Sequence, residues 1–497
     1  MPDKLPEIDV LKELQKDNPW WRDNSIPEDM DKPFHRSDFY IYKKFLNSRD
    51  IQVIIGPRRV GKTILLFQSI KHLIKDCKVV SKNLIYLDLS KPYIAFGIAN
   101  IESCLNIYQE KIIKKDFGNL SSKEHIYIFI DEVQKQKEWA VILESYRSRY
   151  KHISFIVTGS SGTEIDKTAS ESLVGRANYR YILPLKFRDI VRKELNYNEK
   201  KLDQVKDLSN IFEEYVLKGQ LKKLYTYLVD LFVSNIDPNF EIKVKNILDS
   251  YLLKGGYPEF YEEYKHNHWY FMSKRMRDDY FQRIISRDVV EAFRVSRPDV
   301  IRKIYLLISF DTSNLANFGN YAKIVGAKEN TVGDYFSYLT KSFLVTSAER
   351  YFEKKRPKGE QKKVYVGDIG MRNSVLGVIK SDLGTPNARL GSLVETVVHS
   401  HCMRLKYRMH PTMNFNVEYW ISKDIGEIDI IMDLKSVIVP IEVKYQNRIK
   451  SRDLTPLKHF LETNSKAPFG IVVTKNTLNI IDGNILAIPA WLFLLIC

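Results

Sequence analysis

Residues 51–67 read IQVIIGPRRVGKTILLF. An apolar, largely β-branched run, Ile51 to Ile55, leads into Gly56, Pro57, Arg58, Arg59, Val60, Gly61, Lys62 and Thr63, and an apolar stretch with helical spacing opens at Ile64. Strand, loop and helix in that order place main-chain N–H groups and the positive end of a helix around an anion. The spacing G-x-x-x-x-G-K-[ST] gives each residue a task. Gly56 and Gly61 let the chain curl around phosphates, Lys62 reaches the outer phosphates, and the Thr63 hydroxyl is suited to Mg²⁺. Residues 56–64 are therefore the expected nucleotide-binding segment.

Working outward, four more runs have strand character: Leu84 to Leu89, Ile126 to Ile130, Ile153 to Val157 and Tyr179 to Leu183, with helical patterns in most gaps. Continuous apolar strands alternating with helices predict a parallel sheet of the α/β class, its ligand lying beyond the strands' carboxyl ends. The third strand ends in Asp131 and Glu132. Asp131 is expected to join Thr63 at Mg²⁺, and Glu132 to orient or deprotonate an attacking water, which favours hydrolysis. The fourth ends in Thr158, Gly159, Ser160 and Ser161, where Ser160 is a candidate contact to the γ-phosphate and an ordinary turn is the competing reading. Arg176 is the candidate charge-stabilising arginine, with a surface ion pair as its alternative.

The chain has 497 residues, 44% of them apolar, which is enough for several cores and excludes a single small module. Its 77 basic and 61 acidic residues leave a net charge of +16, a bias toward polyanions. The excess sits in two stretches: 25 basic against 16 acidic residues in 51–200, and 21 against 14 in 351–497. Cys77, Cys104, Cys402 and Cys497 are widely spaced, so neither a disulfide framework nor a zinc ribbon is expected and a reducing cytoplasm fits. No apolar stretch is long enough to span a bilayer, and Ile485 to Ile496 reads as a terminal core segment.

The polar stretch before residue 36 reads as a lead-in whose Trp20 and Trp21 cover a neighbouring edge. A helical region is predicted over 196–299, carried by Leu202, Val205, Leu208, Phe212, Tyr215 and Val216 and then by Leu221, Leu224, Leu228, Leu231 and Phe232; Gly255 and Gly256 force a turn. Residues 300–370 read helix, helix, helix, strand, basic loop, strand, which is a winged helix. Its wing, with Lys354, Lys355, Arg356, Lys358, Lys362 and Lys363, is expected to touch nucleic-acid phosphates.

Residues 371–497 read as a second, smaller α/β unit. Glu395 lies on a predicted helix, Asp429 on a strand, and Glu442 and Lys444 two apart on the next strand, so one face can gather three carboxylates and a lysine. Glu395, Asp429 and Glu442 are candidate Mg²⁺ ligands. Together with Lys444, Asp429 and Glu442 are the candidate catalytic groups for phosphodiester cleavage. His399 and His401 read as helix-surface residues, His399 on the Glu395 face.

NPWW (18–21), GPRRVGKT, FIDEVQ, VTGSS, LVGR, PLKF and GGYPEF together resemble the AAA-type ATPases of archaea and bacteria that carry a C-terminal nuclease-like domain. The E, D, E-x-K order is similar to that of the PD-(D/E)xK nuclease fold. The resemblance implies a P-loop ATPase of the additional-strand type, with Leu84 to Leu89 as the strand between the two ATP motifs. The arginine pattern of ring-forming relatives is not evident, so no hexameric ring is implied.

The expected division is 1–35 lead-in, 36–195 ATPase, 196–299 helical lid, 300–370 winged helix and 371–497 nuclease-like domain. The function expected is ATP binding and hydrolysis coupled to Mg²⁺-dependent binding or cleavage of nucleic acid, DNA ahead of RNA, with no membrane partner. The alternative is a non-cleaving ATP-dependent scaffold. A P-loop kinase ranks last, because Glu132 beside Asp131 suits water activation.

Overall fold

The computed structural model describes residues 7–160, 173, 175–195, 214–216, 218–232, 238–261, 269–353, 360–384, 390–409 and 415–497. The chain divides into two compact units, Met1–Leu183 and Pro184–Cys497.

The first unit is built on a five-stranded sheet formed by β1 (Ile51–Ile55), β2 (Leu84–Asp88), β3 (Ile126–Asp131), β4 (Ile153–Gly159) and β5 (Ala177–Tyr181). Their order is β2-β3-β4-β1-β5, and every neighbouring pair is parallel. β1, β3 and β4 are buried along their whole lengths, which is why they read as unbroken apolar runs instead of alternating ones. The order corrects one expectation. The strand lying between β1 and β3 in space is β4, whereas Leu84–Asp88 forms the edge. Sequence adjacency misled because parallel strands joined by helices need not pair in chain order.

An exposed edge offers unpaired main-chain groups to any passing strand. The lead-in closes it. The buried Asn18 donates from Nδ2 to the Tyr86 carbonyl (3.0 Å) and accepts from the Tyr86 N–H at Oδ1 (2.6 Å), as a neighbouring strand would. The Trp20 and Trp21 indole N–H groups both donate to the Leu84 carbonyl, at 3.1 and 2.7 Å. Trp20 also packs edge-on against Phe67 of the Lys62–Lys75 helix.

In the second unit the predicted helices appear at Leu221–Phe232 and Pro238–Lys254. Leu202, Val205, Leu208 and Phe212 lie outside the described residues. At the Gly255–Gly256 turn, Asp368 accepts from the Gly256 N–H (2.8 Å) and from the Met371 N–H (2.9 Å), tying the turn to the start of the Ile369–Leu376 helix.

Residues 298–366 run as helix Pro298–Phe310, β6 (Asn314–Leu315), helix Phe318–Val325, helix Glu329–Lys341, β7 (Val345–Arg350) and β8 (Lys363–Val366). The last part contributes β9 (Asn416–Ser422), β10 (Gly426–Asp433), β11 (Ile438–Lys444), β12 (Gly470–Thr474), β13 (Asn479–Ile481) and β14 (Ile485–Pro489). All nine strands form one sheet in the order β13-β14-β12-β11-β10-β9-β7-β8-β6. The join is the parallel pairing of β7 with β9, Glu349 opposite Glu418 and Arg350 opposite Tyr419. The stretches 300–370 and 371–497 thus share one sheet. The Ile485 to Ile496 segment is buried throughout, as β14 and the Ala490–Ile496 helix. The break between units falls twelve residues before the expected 195, because the Phe187–Glu194 helix packs within the second unit, where Arg404 donates to the Pro184 carbonyl (2.6 Å).

Candidate functional site

The phosphate loop begins where β1 ends. A Cβ on Gly56 would lie 1.9 Å from the Ile182 carbonyl oxygen, and that segment is fixed because the Ile182 N–H donates to Ile55 (2.7 Å). Gly61 meets no such obstacle; its φ of 92° is what requires glycine, at the entry to the Lys62–Lys75 helix. Arg59 also has positive φ, 61°. Gly56→Ala is expected to destabilise the first unit by about 3 kcal/mol, since the clash is with backbone that cannot rotate away. Urea unfolding would read this, and an unchanged midpoint would refute the fit.

Lys62 turns back onto the loop, donating to the Gly56 (2.8 Å) and Pro57 (2.9 Å) carbonyls. Ile64 continues the helix. The Thr63 hydroxyl donates to Asp131 Oδ2 (2.5 Å), so the two expected Mg²⁺ ligands meet across the ends of β1 and β3. Asp131 is buried and also accepts from the Thr158 hydroxyl and the Tyr86 hydroxyl, the latter at 3.2 Å. Burial raises its carboxyl above the usual range, against the hydrogen bonds from Thr158 and Thr63. Burial acts the same way on Glu132, but the Lys62 charge, Gln134, Arg58 and Ser160 outweigh it and hold Glu132 below its ordinary value. Glu132 is therefore a carboxylate at neutral pH, able to accept a proton.

Glu132 has φ 54° and ψ 46°, an uncommon conformation for a side chain of this size. Its Oε2 accepts from Gln134 Nε2 (2.5 Å) and from the Ser160 hydroxyl (3.0 Å), which places Ser160 at the carboxylate expected to handle water. A cleft of about 430 Å³ adjoins this cluster, lined by Thr63, Asp131, Glu132 and Tyr86 and by Asp17 and Lys91, themselves paired at 3.1 Å.

Arg176 is placed elsewhere. Its carbonyl accepts from the Ile51 N–H, at the amino end of β1, and its guanidinium pairs with Glu144 at 3.1 Å. The loop follows Ile55 at the strand's other end, about 16 Å away at the usual rise per residue. The ion-pair alternative is the one observed, and Arg176 does not reach the phosphate loop of its own chain.

The sequence reading missed Gln134, Tyr86 and Arg36. Arg36, buried, donates from Nη1 to the Val60 carbonyl (2.8 Å) and from Nη2 to the Leu183 carbonyl (2.6 Å), bracing the loop from the start of the Ser37–Tyr42 helix. Gln134 was legible as the polar residue two places beyond Glu132. Arg36 carried no local signal.

The C-terminal cluster also assembles. Asp429 Oδ2 accepts from the Val443 N–H (2.9 Å), Glu442 Oε2 accepts from the Asp429 N–H (3.3 Å), and Lys444 donates to Glu442. The cation among these carboxylates is Lys363 of β8. Its Nζ lies 2.8 Å from Glu395 Oε1, 2.9 Å from Asp429 Oδ1 and 2.5 Å from Glu427 Oε1. Tyr365, two residues on and on the same strand face, donates to Glu395 Oε1 (3.0 Å). This corrects the wing reading. Lys363 is buried and ion-paired and cannot touch phosphates; Lys362 pairs with Glu349 (3.3 Å), and Lys354, Lys355, Arg356 and Lys358 lie outside the described residues.

Burial, then repulsion from Asp429, pushes both Glu395 and Glu442 up to about 8. Asp429 is held low despite burial, by Lys363 and Lys444. Glu395 and Asp429 of the expected metal set face the Lys363 ammonium, and among the described residues no group of three or more His, Cys, Asp and Glu stands as a metal site. The histidines are corrected too. Both are fully buried, His399 stacked on Tyr365 at 3.8 Å and His401 accepting from the Phe187 N–H at 3.3 Å.

Comparison with known proteins matches residues 48–191 to the family described as AAA domain, 245–382 to a domain of unknown function (DUF8612) and 390–493 to another (DUF4143). The chain thus carries an AAA-type P-loop ATPase domain followed by these two domains. An uncharacterized protein of Haemophilus influenzae is 21% identical over 436 residues, covering 85% of this chain and 89% of that one. One of Methanocaldococcus jannaschii is 23% identical over 454 residues, covering 89% and 87%. Among solved structures, the Aeropyrum pernix ORC2 protein in its ADP form aligns with 74% of this chain and 99% of its own at 13% identity and a TM-score of 0.30. Among the described residues no helix is long and apolar enough to cross a membrane.

Proposed function

We propose that the first unit binds and hydrolyses ATP and that the second unit binds nucleic acid, DNA ahead of RNA, without cutting it. The observation that carries the first half is the meeting of Lys62, Thr63, Asp131 and Glu132 beyond the carboxyl ends of β1 and β3, within a domain matched to an ATPase family. Main-chain N–H groups of residues 58–63 receive the phosphates, and Lys62 exchanges the Gly56 and Pro57 carbonyls for phosphate oxygens. Thr63 and Asp131 are the residues that would hold Mg²⁺, which when bound neutralises phosphate charge. Glu132 takes a proton from water as the water oxygen bonds to the γ-phosphorus and the bond to the β–γ bridging oxygen breaks. The products are ADP and phosphate.

Support for the second half is the basic excess of 351–497 and the helix–strand–helix–helix–strand–strand order of 298–366, which suits a winged helix. Binding without cleavage is favoured over cleavage because an ammonium group fills the carboxylate cluster. The test is direct. Lys62→Ala abolishes ATP turnover, while supercoiled DNA, linear DNA and RNA incubated with the wild type, Mg²⁺ or Mn²⁺, with and without ATP, remain uncut but shift in mobility in a salt-dependent way. ATP turnover undiminished by Lys62→Ala removes the first half. Cut strands, or no retarded complex at low salt, remove the second.

A further inference from the structure

We propose that Lys363 is a resident cation that takes the place of a divalent metal in the C-terminal carboxylate cluster, so that the second unit binds no Mg²⁺ or Mn²⁺ there while that lysine is present. The inference does not depend on the ATPase reading.

An ammonium group has three N–H donors and no acceptor. Lys363 faces three carboxylates, Glu395, Asp429 and Glu427, at 2.5–2.9 Å, so its hydrogen-bonding capacity is used in full. The same Glu395 oxygen also accepts from Tyr365. A Mg²⁺ ion bridging Glu395 and Asp429 needs oxygens at about 2.0–2.1 Å and would sit nearly on top of Nζ, a like charge. The two cations exclude each other.

Lys363 is not a loose tether that a metal could push aside. It stands on β8, which is paired on both sides, with Lys363 opposite Leu315 of β6 and Ala348 of β7. Its side chain is 3% exposed, and Val364, Tyr365 and Val366 beside it are buried. Swinging the ammonium out means giving up three carboxylate partners in a surround of buried side chains. Lys444, on the other flank, is committed to Glu442. Both positive charges therefore come from the chain itself: one from the residue stretch before the C-terminal domain, one from within it.

The experiment is Mn²⁺ titration of the full chain without nucleotide, followed by electron paramagnetic resonance and by thermal melting. Wild type and Asp429→Asn are expected to show the same Mn²⁺ occupancy, and Mn²⁺ leaves the melting of the second unit unmoved. Lys363→Met keeps an unbranched side chain one atom shorter and removes its charge. It is expected to melt earlier, to gain one Mn²⁺ per chain, and to recover part of the lost melting temperature when Mn²⁺ is added. A wild-type Mn²⁺ site that disappears in Asp429→Asn overturns the proposal. So does a folded Lys363→Met that binds no additional ion. Should Lys363→Met fail to fold, the comparison of wild type with Asp429→Asn still decides it.

Discussion

Glu132→Gln is expected to lower the rate of ATP hydrolysis by about 100- to 10,000-fold, the range over which a positioned general base acts, with ATP affinity nearly unchanged. The amide keeps the shape of the side chain but cannot take the proton of the attacking water. Binding survives because the phosphate contacts come from residues 58–63, not from Glu132. The carboxylate is held by Gln134 and Ser160, and Lys62 and Arg58 keep it ionised against its burial. Single-turnover hydrolysis beside equilibrium nucleotide binding separates the two effects. Equal losses in both would mean that Glu132 is structural. Ser160→Ala removes only one of the two bonds on that carboxylate, so its effect on turnover should be much smaller.

Lys363→Ala is expected to destabilise the second unit by about 3–5 kcal/mol, the usual cost of removing one partner from a buried ion pair. The reason is less the loss of attraction than what remains: Glu395, buried, and Asp429, its side chain 13% exposed, with no cation between them. Urea unfolding monitored on the second unit measures it. A loss below about 1 kcal/mol, the value typical of exposed pairs, would show that the lysine is solvated in solution. Lys362→Ala is the matched control, since its pair with Glu349 is about 40% exposed on both sides.

The sequence made the phosphate loop legible because its function depends on residues within one strand, one loop and one helix. Lys62, Thr63 and the two glycines are fixed by spacing alone, and Asp131 and Glu132 follow from an apolar strand ending in carboxylates. Arg176 was misplaced because a strand has two ends, and nothing local says which end of the sheet a flanking residue occupies. Leu84–Asp88 was misplaced for a related reason: chain order does not give strand order in a parallel sheet.

The C-terminal cluster shows the limit more sharply. Local alternation put Glu442 and Lys444 on one face and brought Asp429 alongside, and helical periodicity put His399 with Glu395. All of that assembled. The cation that stands among its carboxylates is Lys363, 32 residues before Glu395 in the chain, read as a wing residue because it closes a basic run. A strand pattern K-V-Y-V does hint that Lys363 shares the Tyr365 face, but not that this face meets Glu395.

By itself, then, the sequence determined the strand–loop–helix of the phosphate loop, the acid pair that ends the third strand and the α/β class of the first unit, because these are set by periodicity and by contacts a few residues apart. Only the tertiary structure decided which edge the Asn18–Trp21 segment covers, that 300–370 and 371–497 share one sheet through β7 and β9, and that an ammonium group stands among the C-terminal carboxylates. Those are long-range pairings. Their partners are chosen by burial and charge across the folded core, and no short stretch of chain contains both members.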